Sequence, residues 1–134
     1  GRYTLLEQDS LPFMDYCAQH DISVVIGGVY NSGLLANPKL GAHDNYAPVS
    51  SERLERAFAL QRVCLRHGVP LRAAALQFPL GHSAVSSVLM AARSVSQLED
   101  NVQQFEVQIP LELWADLLRE GLLEDRVPTP QEQS

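Results

Sequence analysis

The chain has 134 residues, of which 46% are hydrophobic and 19% charged; this is the balance of a soluble globular domain with one core, and it excludes extensive disorder. Its formal net charge of −6, from 10 Lys and Arg against 16 Asp and Glu, sets the surface against nucleic-acid phosphate and anionic lipid and leaves small ligands and other proteins as partners. No stretch approaches the roughly 18 uninterrupted apolar residues of a membrane-spanning helix, and Gly1-Arg2-Tyr3 lacks the charged and apolar regions of a signal peptide. Cys17 and Cys64 both fall within amphipathic helical patterns. Both read as core thiols in a reducing, cytoplasmic setting.

In chain order, Tyr3 to Leu6 reads as a short strand already under way, as if the chain began inside an element of a longer parent. Asp9 or Ser10 caps a helix carrying Pro12 in its first turn, with Phe13, Met14, Tyr16 and Cys17 as its buried face. Ile22 to Ile26 is continuous and β-branched, the pattern of a parallel strand covered on both faces. From Gly33 to Ser51 the chain is irregular, marked by Asn37-Pro38, Gly41, Asn45 and Pro48; a loop of that length is expected to fold over a ligand or to move.

Ser50 or Ser51 caps a helix to about Arg66, with Leu54, Ala57, Phe58, Gln61, Val63, Cys64 and Leu65 as its apolar stripe and Gly68 as its stop. Pro70 opens an alanine-rich apolar helix over Leu71 to Phe78, ended by Pro79 and Gly81. Val85 to Met90 is the third strand. Helices over Val95 to about Phe105 and Leu111 to about Leu118 follow, the latter entered through Pro110 and anchored by Trp114. A flexible tail is expected over 125–134, with its prolines and polar run. Alternating strands and helices argue for parallel strands joined by right-handed crossovers.

Two strand ends stand out. Val24 to Ile26 runs into Gly27-Gly28-Val29-Tyr30-Asn31-Ser32-Gly33, and Val88 to Met90 runs into Ala91-Ala92-Arg93-Ser94. Ser94-Val95-Ser96-Gln97 has the spacing of a capping box, and a capped helix N-terminus attracts anions, phosphate above all. Taken singly, the glycines serve equally as turn residues, and Arg93 as a solvated or ion-paired surface arginine. The two loops together favour a nucleotide. His20, His43, His67 and His82 are scattered without metal-ligand spacing, and His67 reads as a favourable charge at a helix C-terminus. The two helices joined around Gly68 are no DNA-binding helix-turn-helix, given the acidic balance and the apolar second helix.

Gly1 to Gln8, Gly27 to Ala36, Ala73-Ala74-Ala75-Leu76-Gln77-Phe78-Pro79 and Ala92 to Asn101, in that order and spacing, resemble the aldo-keto reductases. The likeness is strongest to their bacterial branch of D-threo-aldose 1-dehydrogenases and pyridoxal 4-dehydrogenases. It runs from residue 1 to about 124 and covers only the family's C-terminal portion. The resemblance implies an α/β fold that is part of a (β/α)8 TIM barrel, with Tyr3 to Leu6, Val24 to Gly28 and Ser87 to Ala91 as its sixth, seventh and eighth strands. It implies that Gly28, Val29, Tyr30, Asn31, Ser32 and Gly33 lie along the cofactor pyrophosphate. Ala91, Ala92, Arg93, Ser94, Gln97, Asp100 and Asn101 would hold the adenosine end of NAD or NADP, and Arg93 suits a 2′-phosphate or an adenine face equally.

Two departures stand in these motifs: Ala91 replaces a frequent glycine, and Gly27 a tyrosine that stacks on nicotinamide. The family's catalytic tyrosine, lysine, aspartate and histidine come from the N-terminal half of the barrel. Tyr3, Tyr16, Tyr30, Tyr46 and the single lysine, Lys39, match none of them, so no catalytic residue and no metal ligand is assigned. The resemblance implies a parent that transfers a hydride between NAD(P) and the anomeric or carbonyl carbon of a sugar or similar small substrate. The chain alone is expected to be inactive, and to associate with itself or with an N-terminal fragment through open sheet edges. The alternative is a non-catalytic remnant.

Overall fold

A computed structural model of the chain describes residues 3–31, 33–36, 43–44, 47–48 and 50–130. Its centre is a parallel pair of strands, β1 (Val24–Ile26) and β4 (Val85–Val88). Val24 faces Val85, Val25 faces Ser87 and Ile26 faces Val88, with a register shift after Val24. The pairing extends through Val24 N–H to the Ala84 carbonyl at 2.8 Å and Leu89 N–H to the Ile26 carbonyl at 2.7 Å. Between them come a two-residue antiparallel pair, β2 (His43–Asp44) with β3 (Ala47–Pro48), and two helices. Both strands are shorter than their apolar runs. Coverage on both faces does not hold, because successive side chains alternate between faces: Ile26 is buried while Val25 is 57% exposed.

The segment Tyr3 to Leu6 is not a strand. Thr4 closes a tight turn in which its N–H donates to the Glu7 carbonyl at 2.8 Å and its Oγ1 accepts from Leu6 and Glu7 N–H at 3.1 and 3.2 Å. Such a hydroxyl gives the backbone an alternative to a sheet ladder. Tyr3, Leu5 and Leu6 are buried all the same, so the apolar run records burial rather than extension.

Helix α1 (Leu11–Gln19) starts after Ser10 with no side-chain cap bond and carries a proline in its first turn. It buries Leu11, Met14 and Cys17. Phe13 and Tyr16, expected on that face, are 63% and 55% exposed; the buried residues fall three apart, on a stripe that excludes both. Ser50 Oγ accepts from Arg53 N–H at 3.3 Å and caps α2 (Ser51–Arg66). That helix buries Leu54, Ala57, Leu60, Val63 and Cys64, leaving Leu65 exposed. Gly68, at φ +69°, ends it: its N–H reaches the Leu65 carbonyl and that of Val69 the Cys64 carbonyl, the paired bonds of a left-handed helix stop.

Helix α3 (Leu71–Gln77) is buried at Leu71 and from Ala73 to Leu76 and passes into a 3-10 turn over Phe78–Gly81. The Phe78 ring stacks on Tyr3 with centroids 5.3 Å apart and lies 6.2 Å from Trp114. Trp114 sits with Leu113 and Leu117 on the buried face of α5 (Leu111–Arg119). His67 Nε2 lies 2.7 Å from Asp116 Oδ2 and ties the end of α2 to α5. Cys17 and Cys64 are free thiols in the core. Helix α4 (Val95–Glu106) differs from the others, since its buried residues are Asn101 and Gln104.

The segment expected as a flexible tail from 125 is seated in its first part: Val127 is 5% exposed, and Thr129 and Pro130 lie against Gly81. Val127 belongs, with Leu123, to the buried hydrophobic core. No helix among the described residues is long and apolar enough to cross a membrane.

Candidate functional site

The loops that leave β1 and β4 meet at the carboxyl ends of those strands. They enclose a cleft of about 400 Å³ lined by Tyr30, Ala36, Arg72, Ala91, Ser96, Gln97, Asp100 and Asn101. Four of the expected dinucleotide contacts, Tyr30, Gln97, Asp100 and Asn101, are therefore brought together with Ala91.

Gly28 and Gly33 are exposed, with φ +67° and +93°, and turn the first loop, the Gly28 carbonyl accepting from Asn31 N–H at 3.1 Å. Val29 and Asn31 do not face the cleft; they are buried as whole residues at 3% and 0% exposure. Asn31 takes the left-handed conformation at φ +51° that asparagine tolerates, and its Nδ2 donates to Glu7 Oε1 at 3.0 Å. These two residues shape the loop, which Leu34 and Leu35 then anchor in the core. Ser32 lies outside the described residues, as do Asn37, Pro38, Lys39, Gly41, Asn45 and Tyr46 of the irregular segment.

In the second loop Ala92, Arg93 and Ser94 are exposed and lead into the first turn of α4. Ser94 Oγ accepts from Gln97 N–H at 3.2 Å, as the capping spacing predicts. Gln97 Oε1 reaches back to Arg93 N–H at 2.7 Å rather than to Ser94 N–H. The box thus closes one residue early, on an N-cap Ser94 that is extended at φ −150°. The Ser94 and Ser96 hydroxyls, hydrogen-bonded to each other at 3.1 Å, and the positive end of the helix dipole give this corner groups that can meet an anion; Arg93 is exposed beside them, and neither it nor Ser94 lines the cleft.

The wall of the cleft is a charged network. Arg72, in the first turn of α3, donates from Nε to Asp100 Oδ2 at 2.9 Å and from a terminal nitrogen to Asp100 Oδ1 at 3.1 Å. Gln104 Nε2 adds a bond to the same Oδ1 at 3.1 Å. The Arg72 bonds hold the Asp100 carboxyl below its ordinary range. Burial pushes the Tyr30 phenol up to about 12, with the Asp100 charge adding to the rise and Arg72 opposing it. Tyr30 is thus a neutral donor at physiological pH, and its hydroxyl lies 3.4 Å from Asn101 Oδ1, linking the first loop to α4.

Arg72, Ala36 and Ser96 are not among the cofactor contacts that the resemblance implies. Arg72 left one trace, being the only charge between Val69 and Gly81. A larger cleft of about 570 Å³ lies at the other end of α4, between Gln77, Phe105, Ile109 and Trp114; its lining holds one carboxylate, Glu106, and no cation, which does not suit an anionic ligand. Among the described residues no group of three or more His, Cys, Asp or Glu is placed to hold a metal ion. The chemistry present is binding: donors, a cation and a helix N-terminus around a cleft.

The family model described as "Aldo/keto reductase family" matches residues 1–118. Pyridoxal 4-dehydrogenase of Microbacterium luteolum is 45% identical over 125 residues, covering 92% of this chain and 36% of that protein. D-threo-aldose 1-dehydrogenase of a Pseudomonas species is 38% identical over 133 residues, covering 97% and 39%. The chain therefore spans well under half the length of these relatives. Among solved structures, the holo form of aldo-keto reductase AKR11C1 from Bacillus halodurans superposes with a TM-score of 0.69 at 26% identity, over 94% of this chain and 42% of that one. Glycerol dehydrogenase AKR11B4 from Gluconobacter oxydans, at 17% identity and a TM-score of 0.65, shares the fold over 99% and 44%.

Proposed function

The chain belongs to the aldo-keto reductase family, and from that premise we propose that residues 1–124 are the dinucleotide-binding, C-terminal portion of a (β/α)8 barrel. Aldo-keto reductases use NAD or NADP. The whole protein would transfer a hydride between that cofactor and the anomeric or carbonyl carbon of a sugar or similar small molecule, in the cytoplasm. The groups that move the proton would come from the length of the relatives that this chain does not span.

One observation carries the reading: two loops far apart in sequence converge at the carboxyl ends of two parallel strands, and one of them opens a capped helix. Ligands of open and closed α/β sheets sit at that end of the strands, and phosphates sit at helix N-termini. Tyr30, Gln97 and Asn101 would meet the ligand directly, and Arg93 and Ser94 the phosphates.

The test is a fluorescence titration with NADPH and NADH beside the variant Arg93→Glu. A charge reversal at a phosphate contact should weaken binding by about 1.5–3 kcal/mol, or about 10- to 150-fold. Unchanged affinity overturns the role of Arg93.

A second reading, a self-associating or remnant protein, is favoured by exposed apolar groups. Val95, Leu98 and Val102 share one face of α4 at 72%, 52% and 48% exposure, and Val25 and Leu89 stand exposed beside the sheet. Surfaces of this kind want cover. Native mass measurement would separate a partner of barrel-completing size from a second copy of the chain.

A further inference from the structure

We propose that Arg72 is a positioning residue of the dinucleotide site, acting through the Asp100 carboxylate, which it holds at the wall of the cleft, to set the orientation of the N-terminal half of α4. The inference rests on the dinucleotide reading.

The two Arg72 bonds and the Gln104 bond occupy three of the roughly four lone-pair sites of a carboxylate. Gln104 makes its bond while its own Oε1 stays buried without a hydrogen-bond partner. An amide aimed at Asp100 under that penalty marks the carboxylate as the centre of the network.

Phe105 packs α4 against the core at its C-terminal end, while the buried residues of the helix, Asn101 and Gln104, are polar, so these contacts set how its N-terminal half is oriented. Helix α3 is the fixed partner: Leu71 and Ala73 to Leu76 are buried, which leaves Arg72 as the side chain of its first turn that reaches outward. At the far end Gln77 Nε2 donates to the carbonyls of Gln104 and Val107 at 2.8 and 3.0 Å. Two polar clasps thus join α3 to α4, and Arg72 is the one beside Gln97 and Asn101. A planar, two-pronged guanidinium fixes orientation as well as distance, which an ammonium does not.

The test is calorimetric titration of the chain with ADP-ribose and NADPH, for wild type, Arg72→Gln, Asp100→Asn, the double variant and Arg72→Lys. Both partners are more than a third exposed, so losing the pair leaves the fold intact, and thermal melting should confirm that. Each single variant is expected to weaken ADP-ribose about tenfold, the double variant no more than either single, and Arg72→Lys to recover part of the loss. A purely structural role would move the melting temperature and not this coupling. Wild-type affinity in Arg72→Gln, or additive losses in the double variant, as two independent ligand contacts would give, overturns the proposal while leaving the dinucleotide reading in place. Wild-type protein that binds neither probe overturns the dinucleotide reading and this role with it.

Discussion

Replacing Ser94 by alanine and by aspartate separates the stability of α4 from its affinity for an anion. Ser94 Oγ accepts the Gln97 amide at 3.2 Å from an exposed cap position. Alanine leaves that amide to water, and an exposed serine cap is worth about 1 kcal/mol. In a domain of this size that is a fall of about 3–5 °C in melting temperature. Aspartate keeps an acceptor in place and adds a negative charge at the positive end of the helix, which is neutral to stabilising by about 0.3–1 kcal/mol. The same charge would stand within about 5 Å of a bound phosphate, where the Coulomb repulsion is about 1–3 kcal/mol between bulk water and a partly shielded surface. NADPH should then bind about 5- to 150-fold more weakly to Ser94→Asp although the fold is as stable as wild type. Differential scanning fluorimetry reads the first quantity and quenching titration the second. If Ser94→Asp holds NADPH as tightly as wild type, the N-terminus of α4 is not the phosphate site.

The pH dependence follows from the shifted groups. Tyr30 and Cys64 are pushed up to about 12 by burial, and burial raises Tyr3 as well. They stay neutral in the folded chain after their unfolded counterparts ionise, so their contribution is complete below the ordinary values of 9.0 and 10.0 and is lost as pH climbs towards 12. In alkaline unfolding Tyr30→Phe should lose less stability between pH 10 and 12 than wild type; an equal loss would contradict the burial of Tyr30. Gly81→Ala tests the seat of the C-terminal segment, because a Cβ there would lie 2.6 Å from the backbone of Thr129 and Pro130. Destabilisation of about 1–3 kcal/mol and faster tryptic cleavage after Arg126 are expected, and an unchanged digestion pattern would mean that the segment does not rest on Gly81.

What the sequence made legible was local. The caps at Ser50 and Ser94, the stop at Gly68 and the two strand ends are written in residues within four positions of one another, and each is present. Tyr3 to Leu6 was misread because an apolar run reports burial without saying whether the chain is extended, and the Thr4 hydroxyl decided for a turn. Phe13 and Tyr16 are misplaced for a related reason, since three apart they make an apolar stripe of their own beside that of Leu11, Met14 and Cys17, and a short helix then offers two candidate faces. In the site, Tyr30, Gln97, Asp100 and Asn101 are legible because they sit in the first loop or in the opening turns of α4, directly after the second loop. Val29 and Asn31 were placed with them by proximity in sequence, but a left-handed residue turns that stretch inward. Arg72 stayed hidden because its partner is 28 residues away, and nothing in a run of alanines tells which helix its one charge will face.

Residue-resolved amide spectra of isotope-labelled chain, recorded during titration with NADPH, test the central claim most directly. Binding in the cleft predicts the largest shifts at Gly28, Tyr30, Gln97 and Asn101, with Trp114 and Ile109 at the opposite end of α4 unmoved. No shifts up to millimolar ligand, or shifts confined to the cleft around Trp114, would contradict it.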